Sequence, residues 1–355
     1  MFPALSVAAP AQHLFIVAAV VLAWLFPFTY RGWHKESHDL MQKLSDEGHE
    51  SPRDQDDYCI TYAALKQRIE KLPEVVQRYF ESILPLPNIT KCADKIIPFA
   101  RSLRIEQEGT FLLNEKWIPF TATQEFSCRQ THPGFVWDAV MEKACFGGCN
   151  MTIPILVRDA YITGVGGIMK AQFPMGIPLV NMKDTPELNM GEIMRWVAEA
   201  TLFPMALIPQ ICDNNSETIL KWSPGTDESG NSAILECKHK TYNVQIEFYF
   251  DPETHMVTTI KAKRPRTVGD KTEMTDWEGH CSDYELHGGV LVPTKMEVGW
   301  KLSDETPLEL YFRGKNTKFI YLMNAHTRNE HVPEDKQALI SPKNGATTTY
   351  QSIAQ

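Results

Sequence analysis

The sequence predicts an α+β fold: a large curved antiparallel β-sheet, laid out as a meander and packed on a few helices, preceded by one transmembrane helix. Three observations predict it. From Ser102 onward, apolar residues recur at every second position in short segments parted by turn residues. A single apolar-periodic helix, 187–202, interrupts them. Residues 1–30 carry no charged side chain apart from a possible one on His13.

Taken in order, residues 14–28 are an unbroken apolar run except for Pro27, and their neighbours extend the run toward the ~20 residues that span a bilayer. A cleaved signal would need a basic start and small residues at its cut site, whereas Trp24, Leu25 and Phe26 are bulky there. An uncleaved anchor over 1–30 follows, touching the membrane through residues 11–30. The protein is then single-pass, in an endomembrane such as the ER or in the plasma membrane. Arg31 and Lys35 follow the run and favour a cytoplasmic domain, while sequons at Asn88, Asn150 and Asn214 with eight cysteines allow a lumenal one.

Residues 31–66 are polar with few apolar positions and read as a tether. A helix is expected over 62–83, where Leu65, Ile69, Leu72, Val76, Phe80 and Ile83 recur at three-and-four spacing and Pro73 marks a start or kink. Strands are expected at 103–113, 117–126, 135–140, 153–163 and 167–173, then at 218–222, 233–238, 244–250, 256–263, 276–286, 290–302 and 308–322. Asp251-Pro252 and Gly288-Gly289 supply hairpin turns, and consecutive hairpins imply a meander whose face one helix covers. The β-rich domain occupies 67–325, and a Ser/Thr/Gln-rich tail over 326–355 reads as disordered.

Composition narrows function. A net charge of −9 without a basic run argues against nucleic acid as a partner. Cys145 and Cys149 lack the second close pair that a structural zinc site wants, so no metal is expected. No nucleophile elbow, zinc-protease helix or phosphate-binding loop is present, and no cofactor is expected. Two constellations could carry chemistry. Glu192, Arg195 and Glu199 form one stripe of an otherwise apolar helix, which is either a solvated face or a buried acid/base or binding site. Around Arg264, Arg266 and Trp277, strand alternation puts Trp277 and Asp283 on one face and Tyr284 on the other.

Blocks at 72–80, 133–139, 158–164 and 187–209, with Arg264-Pro265-Arg266, Trp277, Asp283-Tyr284 and Tyr311-Phe312-Arg313-Gly314, resemble a largely bacterial family of unknown function, domain-of-unknown-function family 6544, over about residues 70–322. The resemblance implies positions rather than a reaction: Trp137, Asp138, Asp159, Tyr161, Glu192, Arg195, Glu199, Trp277, Tyr284 and Arg313 as ligand-binding candidates, and Glu192, Glu199 and Asp283 as catalytic ones. By analogy of fold, a curved sheet over helices looks like the lipoprotein carriers.

The function expected is a membrane-anchored protein that binds a lipid or other hydrophobic small molecule in a pocket under the sheet. The alternatives are a cofactor-independent isomerase or cyclase using acid/base chemistry on a hydrophobic metabolite, and a non-catalytic scaffold.

Overall fold

Thirteen strands hydrogen-bond into one antiparallel sheet, whose two edges are the strands Pro178–Lys183 and Thr218–Pro224. The computed structural model describes residues 9–46, 59–84, 96–145, 152–210, 218–269 and 271–323, though not the side chains at 9–26, 46, 59, 96–98, 143–145, 152–153 and 323. The three sequons, the Cys145–Cys149 pair, the second part of the tether and the tail lie outside the described residues or side chains.

The first half of the sheet comprises β3 (Ala100–Leu113), β4 (Lys116–Ser127), β5 (Gly134–Cys145), β6 (Thr152–Ile162), β7 (Gly166–Gln172) and β8 (Pro178–Lys183), stepping outward to one edge. The second half starts at the opposite edge with β9 (Thr218–Pro224), β10 (Ser232–His239) and β11 (Tyr242–Phe250). It returns to the centre through β12 (Val257–Val268), β13 (Lys271–His287), β14 (Val290–Lys301) and β15 (Glu309–Met323). There β15 pairs with β3, opposing Gly314 to Gly109 and Tyr321 to Leu103. The meander expected from the hairpins is thus two meanders joined at one central seam. Within this sheet only β8 escapes the sequence pattern, because all six of its residues are exposed and nothing selects an apolar face.

Helix α4 (Pro186–Glu199) carries the chain from the β8 edge to the β9 edge. Thr185 caps it by accepting from Leu188 N at 3.2 Å, and Pro186 fits the first turn, where no N–H is needed. It packs on β5, β6 and β7 from one half and on β11 and β12 from the other, so the sheet curls around it. Asn189 ties the join together: its Oδ1 accepts from Gly167 N at 2.6 Å, and its Nδ2 donates to Asp184 and to the Tyr242 hydroxyl, both at 2.9 Å. Two short 3-10 turns, Ala200–Leu202 and Pro204–Leu207, follow it. The expected helix over 62–83 is two, α2 (Tyr62–Ile69) and α3 (Glu74–Ile83), broken where Pro73 becomes the α3 cap. α3 packs on β10 and β14 and fills the rest of the concave side. A short ladder of β1 (Cys59–Thr61) with β2 (Ile96–Pro98) stands apart from the main sheet.

The N-terminal region departs from expectation. Helix α1 runs from Ala9 to Asp46, so residues 31–46 continue the helix instead of forming a tether. Trp33, Ser37, Leu40 and Leu44 recur at four-three-four spacing and are all buried on the convex face of β5 and β6. The stripe is one residue wide, which is why the segment reads as polar. Among the residues whose side chains are described, no helix is long and apolar enough to cross a membrane; the apolar run before Pro27 lies outside them.

Candidate functional site

Alternation along β4, β5 and β6 turns Gln124, Trp137 and Asp159 toward the concave face, opposite α4. The helix answers with Glu192, Arg195 and Glu199, spaced so that all three fall on one stripe. Arg195 donates from Nη1 to Asp159 Oδ2 at 2.5 Å and from Nε to Glu199 Oε1 at 3.2 Å. Its guanidinium lies 4.6 Å from the Phe135 ring centre and 5.4 Å from that of Trp137. Gln124 Nε2 donates to the second Glu199 oxygen at 2.8 Å. The network continues across the seam, with Trp137 Nε1 donating to Gln107 Oε1 at 3.0 Å and Gln107 Nε2 to Asn316 Oδ1 at 2.9 Å. On the other flank Arg264 Nη2 donates to Gly191 O at 2.8 Å, and its guanidinium stands 4.9 Å from the Trp277 ring centre. Trp277 Nε1 in turn donates to the Tyr311 hydroxyl at 2.9 Å.

Charge is unbalanced here. Three carboxyls, on Asp159, Glu192 and Glu199, surround one central guanidinium. Burial, and then the neighbouring Asp159, hold the Glu192 carboxyl well above the ordinary carboxylate range, against the pull of Arg195 and Arg264. Burial opposes the Arg195 charge, yet Glu199, Asp159 and Glu192 together raise its pKa, so it stays a cation. Asp159 Oδ1 and Glu192 Oε2 are both buried without a donor among the described residues, and a proton on Glu192 gives the pair the hydrogen bond it lacks. Chemically the cluster is a fixed cation among three carboxyls, one of which, Glu192, is pushed by burial toward its protonated form. It can orient a polar group and can give or take a proton.

The apolar side of α4 is packed, with Ile193, Met194, Trp196, Val197 and Ala198 all buried. Beside the helix, however, aromatic rings run outward from the cluster. Trp137 meets Phe120 at 5.6 Å, Phe120 stacks on Phe312 at 5.3 Å, and Phe312 meets Phe111 at 6.4 Å between ring centres. Phe111 then meets Tyr311, and Tyr311 stacks on Trp300, each at 5.8 Å. Phe111, Tyr311, Phe312 and Trp300 are half-buried, so the row leads from partly exposed rings at the rim to the buried Phe120 and Trp137 beside Arg195. Glycines make it possible: a Cβ at Gly109 would lie 2.9 Å from Phe120, and one at Gly314 would lie 2.6 Å from Phe312.

The structure brings together Trp137, Asp159, Glu192, Arg195, Glu199 and Trp277, and it separates the other expected positions. Asp138 faces the convex side, where Trp33 and Ser37 donate to it, because its neighbours Trp137 and Ala139 take the inward register. Tyr161 is buried further along β6, with its ring 6.0 Å from that of His239. Asp283 has φ +53° and pairs on the surface with Lys295 at 2.5 Å. That left-handed residue shifts the alternation, so Tyr284 turns inward and donates to Val257 O at 2.8 Å, remote from Arg195. Arg313 is exposed on the convex side, 3.0 Å from Glu297 and over Trp117. Gln107, Gln124, Asn316, Phe120 and Phe312 were not expected in the site. Their one sequence signal is a polar or aromatic residue at an inward position of an alternating strand.

Comparison with known proteins gives a family and names no activity. The model of a family of unknown function (DUF6920) matches residues 70–321; this agrees with the span of the sequence resemblance and does not confirm the number 6544. No curated protein matches. Among solved structures, a DUF1329 family protein from Desulfovibrio piger is 12% identical, with 78% of this chain and 99% of that chain covered at a TM-score of 0.35. A putative outer membrane lipoprotein-sorting protein domain from Vibrio parahaemolyticus is 8% identical, with 76% and 96% covered at a TM-score of 0.36.

Proposed function

The chain belongs to the DUF6920 family, whose function is unknown, and from that premise we propose that it binds a lipid or other hydrophobic small molecule along the aromatic groove beside α4. The polar end of the ligand lies at Arg195, Glu199, Asp159 and Glu192, and the apolar N-terminal run holds the protein at a membrane. One observation carries this reading: the continuous row of rings from half-buried Phe111 and Phe312 to the guanidinium over Trp137. An apolar channel closed by a few fixed polar groups is the usual form of a small-molecule site.

A long-chain lipid analogue with a polarity-sensitive fluorophore tests the proposal by titration. Phe312→Ser, which removes a ring from the middle of the row, is expected to weaken binding by at least about tenfold, roughly 1.4 kcal/mol. Unchanged affinity in a folded Phe312→Ser protein would refute the groove as the binding site.

The Glu192–Asp159 pair favours a second reading, acid/base chemistry on the same molecule, since a buried neutral acid beside a carboxylate can transfer a proton. Glu192→Gln separates the two readings. A binder stays loaded, whereas an enzyme stays loaded and stops converting its ligand.

A further inference from the structure

The same end of the sheet holds the groove mouth and the exit of α1, and it is edged with exposed apolar side chains. Thr29, at the end of the apolar run, donates its hydroxyl to Pro174 O in the β7–β8 connection. Contact there is close enough that a Cβ on Gly176 would lie 3.1 Å from Thr29 Cγ2, and Gly176 itself has φ +84°. Phe28 on the helix is 60% exposed, and on the hairpin Ile177 and Leu179 are 49% and 47% exposed.

Ladder register extends this rim to the mouth of the groove. Gln172, at the end of β7, pairs with Leu156 on β6, next to the residues of β6 that face Met141 and, beyond it, Phe120. From Phe120 the ladder reaches Gly109 and Gly314, so the β3–β4 tip beyond Phe111 and the β14–β15 tip beyond Trp300 lie at this end. Exposed Leu113 and Leu302 stand at those two tips. The opposite end of the ladder, where the β13–β14 turn brings Gly288 to Tyr321, carries Leu286, Ile320 and Leu322, but the apolar N-terminal run leaves the fold at the β7–β8 end.

We propose that this rim, with the β7–β8 tip at Ile177 and Leu179 as its main contact, lies against a lipid bilayer, so that the groove opens directly onto the membrane and exchanges its hydrophobic ligand with it. The inference rests on the proposed lipid-binding function and on its membrane anchor. The bilayer is preferred to a protein partner because the apolar patch begins at Phe28, where the 14–28 run feeds into the fold, and the Thr29–Pro174 bond fixes the hairpin beside that run. Attraction is apolar rather than ionic, since the exposed charges at this end are mixed, Asp304 and Glu305 standing against Lys116 and Lys271.

The test uses the full chain in phosphatidylcholine vesicles, with a fluorescent amino acid placed singly at 177, 113 or 286 and quenched by nitroxide-labelled lipids. A probe that sits ~5–10 Å into the headgroup and upper acyl region should be quenched at 177 and 113 at least about threefold more strongly than at 286. Equal quenching at the three positions, in a protein that floats with the vesicles and binds the lipid analogue, would overturn the rim contact and leave the binding function standing. Failure to float would overturn the anchor and this inference together, and failure to bind the analogue would instead strike the proposed function.

Discussion

Arg195 is the residue on which the site depends. It is the central cation between Asp159 and Glu199, and removing one partner of a buried ion pair leaves the others without compensation. Arg195→Met is therefore expected to lower the unfolding free energy by about 3–5 kcal/mol, measured by urea denaturation. Glu192→Gln keeps the shape of the neutral acid and should cost little at low pH. The sign with pH follows from its raised pKa: the protonated form's stabilisation is complete below the ordinary carboxylate range and is lost as pH rises through the folded value. Wild type should accordingly lose stability across that rise while Glu192→Gln does not, and parallel curves for the two proteins would show that Glu192 is ionised in the native state. Sequence made the stripe of Glu192, Arg195 and Glu199 visible because helical spacing is local. It could not show Gln124 or Asp159 meeting that stripe, since strand residues reach it only after the sheet curls. It also misplaced Asp283 and Tyr284, where one left-handed residue shifts the alternation of the strand.

Among the elements, α1 shows how a thin pattern hides a large role. Buried Arg158 on β6 donates to Trp33 O at 2.7 Å and to Ser37 Oγ at 3.0 Å, lies 2.8 Å from Glu36, and stacks 4.0 Å from the Trp33 ring centre. Lys170 on β7 also pairs with Glu36 at 2.8 Å. Arginine suits this place, since its planar fork satisfies a carbonyl, a hydroxyl and a carboxylate at once. Arg158→Met should release α1 from the convex face: amide exchange at residues 33–44 is expected to accelerate by at least about a hundredfold, equivalent to roughly 3 kcal/mol of local protection. Protection in β3 and β4 should be retained. Uniform loss throughout the sheet would mean that α1 is part of the cooperative core. The strands of the main sheet were readable from their period of two, apart from β8, whose outward residues on both faces leave no alternation to read; the three-residue β1 and β2 are too short to show a period.

For the whole molecule, closure of the curled sheet is tied to a histidine that no local pattern marks. His239 on β10 shares a 2.7 Å contact from Nδ1 with Thr218, and its Nε2 is 3.5 Å from Thr163, just past β6. Burial, with Lys240 and His132 adding to it, pushes its pKa down from 6.5 to about 4. A depressed histidine is neutral when folded, so its contribution is present above 6.5 and lost as pH falls through about 4, by roughly 3 kcal/mol. His239→Gln should remove that acid slope from the stability profile; an unchanged slope would place the titration elsewhere. The overall meander follows from consecutive hairpins. The join of β15 to β3 does not, because it pairs residues about two hundred positions apart with no turn to announce it.

The central proposal is that the aromatic row and its ionic end hold a hydrophobic molecule. Native mass spectrometry of the detergent-purified chain, followed by extraction of whatever is bound, tests it most directly. The account predicts one hydrophobic molecule per chain, lost or reduced in Phe312→Ser. A chain that stays empty both as purified and after incubation with a lipid extract would contradict it.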